Sequence, residues 1–217
     1  MGRPRAIVFD FNGTLSHDEP ILCEIFIDLF AEHGKPLSAQ QYFDELAGLS
    51  DPEIVRTWLG RDHPDVDEVI EERIRRYRAA VADGSSVPTE LREAVRFAAE
   101  RVPLAIVSGA ARPEIEPVVE AAGLTGSFDF TVTSDDIEHG KPDPEGYRRA
   151  LSLFPGDIDA GAVLVFEDTE AGVASAKGAG MRCFAVLGTL SPERLGQADE
   201  IVERIDVPLM QRLFDES

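Results

Sequence analysis

The polar residues best placed for chemistry follow short apolar runs. Asp10 ends the run at 5–10 and is followed by Asn12 and Gly13, which places a carboxylate, an amide and a permissive backbone position together. A carboxylate at the tip of a buried strand can act as a nucleophile or hold a cation where open α/β sheets bind ligands. Asn-Gly is also a common turn pair, so the segment gains meaning only in combination with others.

Three further segments carry polar groups of the same kind. Ser108 and Gly109 follow a second apolar run and suit an anion through a hydroxyl and an open backbone. Glu167 and Asp168 end another run, and adjacent carboxylates suit a hard cation such as Mg²⁺. Lys141 lies in a proline-bounded turn, where its charge would stabilise a nucleophilic carboxylate and a transferred phosphoryl group. Each segment alone is also typical of an ordinary turn or helix start. Their consistent positions, at the ends of apolar runs or in the loop between two of them, favour a shared site.

A sheet with all its strands ending at one edge would bring these segments together. Apolar runs rich in β-branched or aromatic residues predict strands near 5–10, 103–107, 129–133, 162–166 and 182–187. Helical spacing predicts helices at 89–101, 111–122, 144–153 and 170–179. This alternation predicts an α/β fold with a doubly wound, Rossmann-like parallel sheet.

A long segment without a convincing strand separates the first two predicted strands. Its helical stretches lie near 19–33, 38–47, 51–59 and 65–82. We therefore expect an inserted all-helical cap subdomain at 17–84 and a core domain built from 1–16 and 85–217. A cap placed directly after Asp10 would close over a ligand bound there.

Composition narrows the class of protein and of partner. The 217 residues are 43% apolar and contain no long apolar stretch, and the first strand begins too early for a signal peptide, so we expect a soluble, cytoplasmic protein. Cys23 and Cys183 are far apart and are expected to be reduced and buried. The net charge of -20 disfavours nucleic acid and acidic membrane surfaces as partners.

The four polar segments resemble the motifs of the haloacid dehalogenase superfamily over about residues 7 to 186. The similar stretches are DFNGTL at 10–15, IVSGA at 106–110, HGKPDP at 139–144 and VFEDTEAGVASAKGAGM at 165–181. The helical insert is similar to the cap of the subgroup that contains phosphoglycolate phosphatases and β-phosphoglucomutases.

The resemblance implies a Mg²⁺-dependent phosphatase that hydrolyses a small phosphorylated metabolite through an aspartyl-phosphate. Asp10 would be the nucleophile. The implied metal ligands are Asp10, the backbone carbonyl of Asn12, Asp168 and, further, Glu167. The implied phosphoryl contacts are Ser108, with the adjacent Gly109, and Lys141.

Asn12 departs from the pattern, because phosphatases of this superfamily carry a second aspartate there as general acid and base. An amide cannot donate or accept that proton, which is worth roughly 10² to 10⁴ in rate. Three explanations stay open: another group such as His17 moves the proton, the substitution is engineered, or the Asn12-Gly13 bond deamidates. A non-catalytic phosphate-binding or regulatory module on the same fold is the alternative function.

Other chemistries of the superfamily fit less well. A mutase must move protons at two sugar hydroxyls. A carboxylate nucleophile without an acid partner suits a dehalogenase, but the Glu167-Asp168 pair and Lys141 indicate a metal and a phosphoryl group instead. A phosphonoacetaldehyde hydrolase needs a cap lysine, but only Lys35 lies in the insert, within a helix-breaking turn.

Substrate choice is expected to lie with the cap loop at 48–51. Asp51 there would repel a second phosphate. Arg56 and Trp58 are possible cap contacts, whereas the basic run of Arg73, Arg75, Arg76 and Arg78 is read as a solvated helix face. Oligomeric state stays open.

Overall fold

The computed structural model describes residues 2–215 and contains a six-stranded sheet. The strands are β1 (Ala6–Phe9), β2 (Leu104–Val107), β3 (Phe130–Val132), β4 (Val163–Glu167), β5 (Arg182–Val186) and β6 (Glu200–Val202). Their order is β3-β2-β1-β4-β5-β6, and every neighbouring pair is parallel. In the central strand, Phe9 pairs with Ile106 on one side and Phe166 on the other.

Helices fill the connections between the strands. Between β1 and β2 the chain forms α1 (Glu19–Glu32), α2 (Ala39–Gln41), a π-helical turn (Tyr42–Leu46), α3 (Asp51–Leu59), α4 (Val66–Ala80) and α5 (Thr89–Ala99). The later helices are α6 (Arg112–Ala121), α7 (Glu145–Leu153), α8 (Glu170–Gly178) and α9 (Val207–Asp215). We refer to residues 17–84, which carry α1 to α4, as the helical insert.

Both faces of the sheet are buried, as expected for a parallel sheet covered by helices. Along β1, Ile7 and Phe9 point into one apolar cluster, which extends into the helical insert. Ala6 and Val8 point into a second cluster on the opposite face. Because side chains alternate along a strand, four consecutive apolar residues are needed to fill both clusters. The predicted doubly wound α/β fold is confirmed.

Two C-terminal elements and one break in a helix differ from the prediction. The sequence analysis did not predict β6 or α9. β6 is a three-residue edge strand that begins with Glu200 and whose Ile201 is 36% exposed, so it lacks the apolar run that marks the inner strands. The single helix predicted at 38–47 is instead α2 followed by the π-helical turn, which brings Tyr42 into the core.

The two cysteines agree with the prediction, since Cys23 and Cys183 are free thiols in the buried core. Within residues 2–215, no helix combines the length and apolar character needed to cross a membrane.

Candidate active site

The carboxyl ends of β1, β2 and β4 bring the predicted polar segments to one place. A cavity of about 970 Å³ lies between this edge of the sheet and the helical insert. Its wall on the sheet side includes Asp10, Asn12, Ser108, Gly109 and Lys141. The carboxylates of Glu167 and Asp168 are fully buried and lie next to that of Asp10, with one oxygen of each of the three within 4.8 Å of the others.

Lys141 joins two of these carboxylates. Its ammonium donates to Asp10 Oδ1 and lies 2.5 Å from Glu167 Oε1. Burial lowers the pKa of Lys141, but the two carboxylates outweigh that effect and raise it above its usual range. Burial raises the pKa of Asp10 to about 7, against the opposing effect of Lys141. Lys141 is therefore a fixed cation beside the candidate nucleophile.

Asp168 leaves one buried oxygen without a partner. Its Oδ1 accepts a hydrogen bond from Thr14 Oγ1 at 3.0 Å, whereas Oδ2 is buried and accepts none from the described residues. A Cβ atom on Gly13 would lie 1.9 Å from Asp168 Oδ2, and Gly13 has a φ of 75°. An orphaned carboxylate oxygen is costly unless a cation occupies the space in front of it.

Glu167 is already well supplied with hydrogen-bond donors. Besides Lys141, Oε1 accepts from the Tyr147 hydroxyl at 2.6 Å, and Oε2 accepts from Asp168 N–H at 3.2 Å and Thr169 Oγ1 at 3.3 Å. This pattern makes Glu167 a support for Lys141. Its direct coordination of a metal stays a prediction.

Ser108 and Gly109 form the opposite side of the site. Ser108 is buried, and its backbone N–H donates to Val132 O at 3.0 Å, which fixes the end of β2 against β3. Its hydroxyl oxygen accepts from Ala110 N–H at 3.0 Å. The Gly109 backbone is open, with no atom within 4 Å of the position a Cβ would take. The hydroxyl proton of Ser108 is thus available to an anion in the cavity.

The side chain of Asn12 is held by a residue that the sequence analysis missed. Its Nδ2 donates to Asp18 Oδ2 at 3.1 Å and approaches the Tyr77 hydroxyl at 3.4 Å. Asp18 also accepts from Tyr77 and from Gly13 N–H at 3.3 Å. With the amide nitrogen committed to Asp18, the remaining polar atom of the Asn12 side chain is an acceptor.

This contact gives a structural reason for an amide at position 12. Asp18 is fully buried, and burial raises its pKa. A second carboxylate in place of Asn12 would face Asp18 Oδ2 at the same short range and repel it. The only sequence signal for Asp18 is its position just after the DFNGTL motif, which resembles that of an ordinary helix-start acid.

The helical insert supplies the other wall of the cavity. Residues 48–51 line it, as the sequence analysis expected for the cap loop. Glu19 at the start of α1 also lines it, and its Oε2 accepts from the Tyr42 hydroxyl at 3.2 Å. Burial, followed by the neighbouring Asp18 carboxylate, raises the pKa of Glu19 to about 8.

Arg73 is buried, although the arginines of α4 were predicted to form a solvated helix face. Its side chain is only 4% exposed, forms an ion pair with Glu114 of α6, and has Nε 3.4 Å from Asp51 Oδ2. The prediction for the basic run is therefore wrong at this position, because the cavity-facing side of α4 packs against α6. Arg75 stays largely exposed and pairs with Glu72 on its own helix.

Other residues weighed from the sequence lie farther from the chemistry. His17 is exposed and is not among the residues that line the cavity. Arg56 is exposed but lines the cavity. The Trp58 indole N–H donates to the Lys35 carbonyl at 2.9 Å, so these two residues close a turn of the insert away from the site.

The fold and the site together define an α/β protein that presents a carboxylate beside a lysine and two further buried carboxylates. The sequence model of the haloacid dehalogenase-like hydrolase family matches residues 7–186. The chain therefore belongs to that family, and the predicted membership of this superfamily is confirmed.

Two curated relatives cover most of this chain. Validoxylamine A 7'-phosphate phosphatase of Streptomyces hygroscopicus subsp. limoneus is 29% identical, over 92% of this chain and 93% of its own. Phosphorylated carbohydrates phosphatase of Thermotoga maritima is 29% identical, over 86% of this chain and 87% of its own. Both relatives are named as phosphatases, in agreement with the predicted enzyme class.

Solved structures share the fold over nearly the whole chain. CbbY from Rhodobacter sphaeroides, in complex with phosphate, has a TM-score of 0.80 and 23% identity, covering 93% of this chain and 95% of that one. A β-phosphoglucomutase from Clostridium difficile has a TM-score of 0.81 and 16% identity, covering 98% of each. At these identities the likeness concerns the fold.

Proposed function

We propose that this protein is a Mg²⁺-dependent phosphomonoester hydrolase that acts on a small phosphorylated metabolite through an aspartyl-phosphate at Asp10. The observation that carries the proposal is the position of Asp10, which accepts a hydrogen bond from the ammonium of Lys141 and lies within 4.8 Å of the carboxylate of Asp168, whose Oδ2 has no hydrogen-bond partner among the described residues. A lysine ammonium on one side and carboxylate oxygens that could hold a cation on the other suit a carboxylate that must approach a phosphate anion.

In the first step, an Asp10 carboxylate oxygen attacks phosphorus, and the bond from phosphorus to the leaving-group oxygen breaks. The Ser108 hydroxyl, the open Gly109 backbone and the Lys141 ammonium then hold the phosphoryl oxygens. In the second step, water attacks the phosphorus of the aspartyl-phosphate. Inorganic phosphate leaves, and the Asp10 carboxylate is restored.

The residues around Asp10 fit a hard divalent cation. Asp168 Oδ2 lacks a donor, Gly13 leaves room in front of it, and all the available ligand atoms are oxygens. Asp10, the Asn12 backbone carbonyl and Asp168 would hold Mg²⁺, with Glu167 close behind. When bound, the cation would offset the negative charge that Asp10 and the substrate phosphate bring together.

The site lacks a general acid and base at position 12. Asn12 has no proton to give to a leaving group and cannot take one from the attacking water. The leaving-group oxygen then takes its proton from solvent, which favours phosphates whose leaving group is stable as an anion, such as acyl phosphates. For alkyl phosphates we expect a slower rate, by roughly 10² to 10⁴, than an acid at this position would allow.

The amide at position 12 also favours a second candidate function, a module that binds a phosphorylated ligand without hydrolysing it. The two functions differ in one observable. An enzyme releases phosphate in a Mg²⁺-dependent and Asp10-dependent way, whereas a binding module is only stabilised by its ligand.

The test is phosphate release from acetyl phosphate and a panel of sugar phosphates, with and without Mg²⁺, by the wild-type protein and Asp10→Asn. The proposal predicts release that needs both Mg²⁺ and Asp10. Ligand-induced stabilisation with no release by the wild-type protein would instead favour the binding module.

A further inference from the structure

The charges in the cavity are unevenly distributed. Away from the sheet edge, the ionisable residues that line the cavity and are buried or half-buried are Glu19, Asp51 and Arg73 of the helical insert and Glu114 of α6, so that three carboxyl groups face one guanidinium. Arg73 is engaged by Glu114 and Asp51. Its charge is therefore already offset before any ligand arrives.

Glu19 is the carboxyl group that this arrangement leaves without a cation. It is 8% exposed, and Tyr42 is the only described residue that donates a hydrogen bond to its side chain. The carboxylates of Asp18 and Asp10 oppose its charge, and Arg73 favours it only weakly. Burial, together with these neighbouring carboxylates, raises the pKa of Glu19 to about 8 and so favours its protonated form.

A ligand can supply what Glu19 lacks. An ammonium group provides both a positive charge and several N–H donors, and it takes the place of the proton on a buried carboxyl group. A second phosphate or a carboxylate would instead meet three acidic side chains. Arg73 also lines the cavity, and its Nε, 3.4 Å from Asp51 Oδ2, makes no hydrogen bond among the described residues, so that a small shift of the guanidinium would let it donate to a ligand hydroxyl.

The geometry points to a cationic leaving group: we infer that the preferred substrate is the monophosphate of a hydroxylated, amine-bearing compound, whose ammonium is bound by Glu19. This inference rests on the proposed function, because the phosphoryl end of the same ligand would lie at Asp10. It makes Glu19 the residue that selects the substrate.

The experiment compares ligands that differ in one group. Binding of glucosamine 6-phosphate, N-acetylglucosamine 6-phosphate, glucose 6-phosphate and 6-phosphogluconate is measured by calorimetry at pH 7, in Mg²⁺ and low salt, on Asp10→Asn. This variant keeps the cavity but lacks the nucleophile. Glucosamine 6-phosphate is expected to bind about tenfold more tightly than either neutral ligand, since a single favourable charge pair is worth about 1.4 kcal/mol.

Further substitutions, each combined with Asp10→Asn, test whether Glu19 causes the preference for the amine ligand. Glu19→Gln is expected to bring the ratio of the dissociation constants of the amine and neutral ligands close to one. Glu24→Gln, on the exposed side of the same helix, is expected to leave the ratio unchanged. Arg56→Ala, at the only exposed arginine among the described lining residues, tests whether an anionic ligand is preferred instead.

The possible results separate the two claims. Equal or undetectable binding of the amine and neutral ligands would overturn the inference, as would tightest binding of 6-phosphogluconate that is lost in Arg56→Ala. If the amine ligand binds preferentially but the wild-type protein releases no phosphate from it or from acetyl phosphate, the inference about the ligand holds and the proposed hydrolysis fails.

Discussion

The side-chain amide of Asn12 donates a hydrogen bond of 3.1 Å to Asp18 Oδ2. The two residues form a matched pair in which the acid lies at position 18 and the amide at position 12. The effect of a substitution at position 12 on stability should therefore depend on which residue occupies position 18.

Asn12→Asp is therefore expected to show two opposing effects. The new carboxyl group supplies an acid and base for alkyl phosphates, but it faces Asp18 and destabilises the fold by about 1 to 3 kcal/mol. The double variant Asn12→Asp/Asp18→Asn exchanges the two groups and should recover most of that stability. Urea unfolding and initial rates for all four members of the cycle measure the coupling. Additive effects would show that the pair does not act as a unit.

Glu114→Gln removes one partner of a buried ion pair that connects the helical insert to the core. Arg73 would then keep only Asp51, at 3.4 Å. We expect a loss of about 3 kcal/mol in the free energy of unfolding, because a buried guanidinium is left partly uncompensated. Arg75→Ala is the control on the same helix, and loss of its exposed pair should change stability by about 0.5 kcal/mol or less. Equal effects of the two variants would contradict the account of Arg73.

Glu19→Gln is expected to stabilise the ligand-free protein at high pH. With its pKa raised to about 8, Glu19 holds a proton in the folded protein up to about pH 8, whereas in the unfolded chain it releases the proton near the usual glutamic acid pKa of 4.5. Because the folded state binds more protons in this window, the wild-type protein loses stability through this group as pH rises from about 4.5 to 8.

Glutamine does not titrate, so the stability difference between Glu19→Gln and the wild-type protein should grow by roughly 1 to 3 kcal/mol from pH 5 to pH 8. Denaturant unfolding at the two pH values measures it, with Glu24→Gln as the exposed control. A difference that does not change with pH would mean that Glu19 ionises normally in the folded protein.

Gly13→Ala tests the space in front of Asp168. The new Cβ would lie 1.9 Å from Asp168 Oδ2, so the loop or the carboxylate must move. We expect loss of detectable Mg²⁺ binding together with a lower unfolding temperature. Gly34→Ala shares the positive φ but has no atom within 4 Å of the new methyl group, so it should cost only about 1 kcal/mol and leave Mg²⁺ binding intact. Full Mg²⁺ affinity in Gly13→Ala would place the cation elsewhere.

The sheet and the residues at its edge were accessible from sequence, because a buried parallel strand is a continuous apolar run and its end fixes the position of the next polar residue. Asp10, Ser108 and Asp168 were identified in this way. The division into a core and a cap at 17–84 stays a prediction.

The contacts that form the cavity wall on the side of the helical insert could not be predicted from the sequence in the same way. Arg73 lies in a run of arginines that is typical of a solvated helix, and its burial depends on contacts such as that with Glu114, which is 41 residues away in sequence. The pairing of Asn12 with Asp18 likewise depends on how a turn closes. Neither contact has a periodic signal in the sequence.

Acid-quenched mass spectrometry tests the central claim most directly. The protein is mixed with acetyl phosphate and Mg²⁺, quenched in acid within the first turnover and digested, and the peptide that contains Asp10 is examined. The account predicts one added phosphoryl group on Asp10, absent without Mg²⁺ and absent in Asp10→Asn. Mg²⁺-dependent phosphate release with no such adduct, or an adduct on another residue, would contradict it.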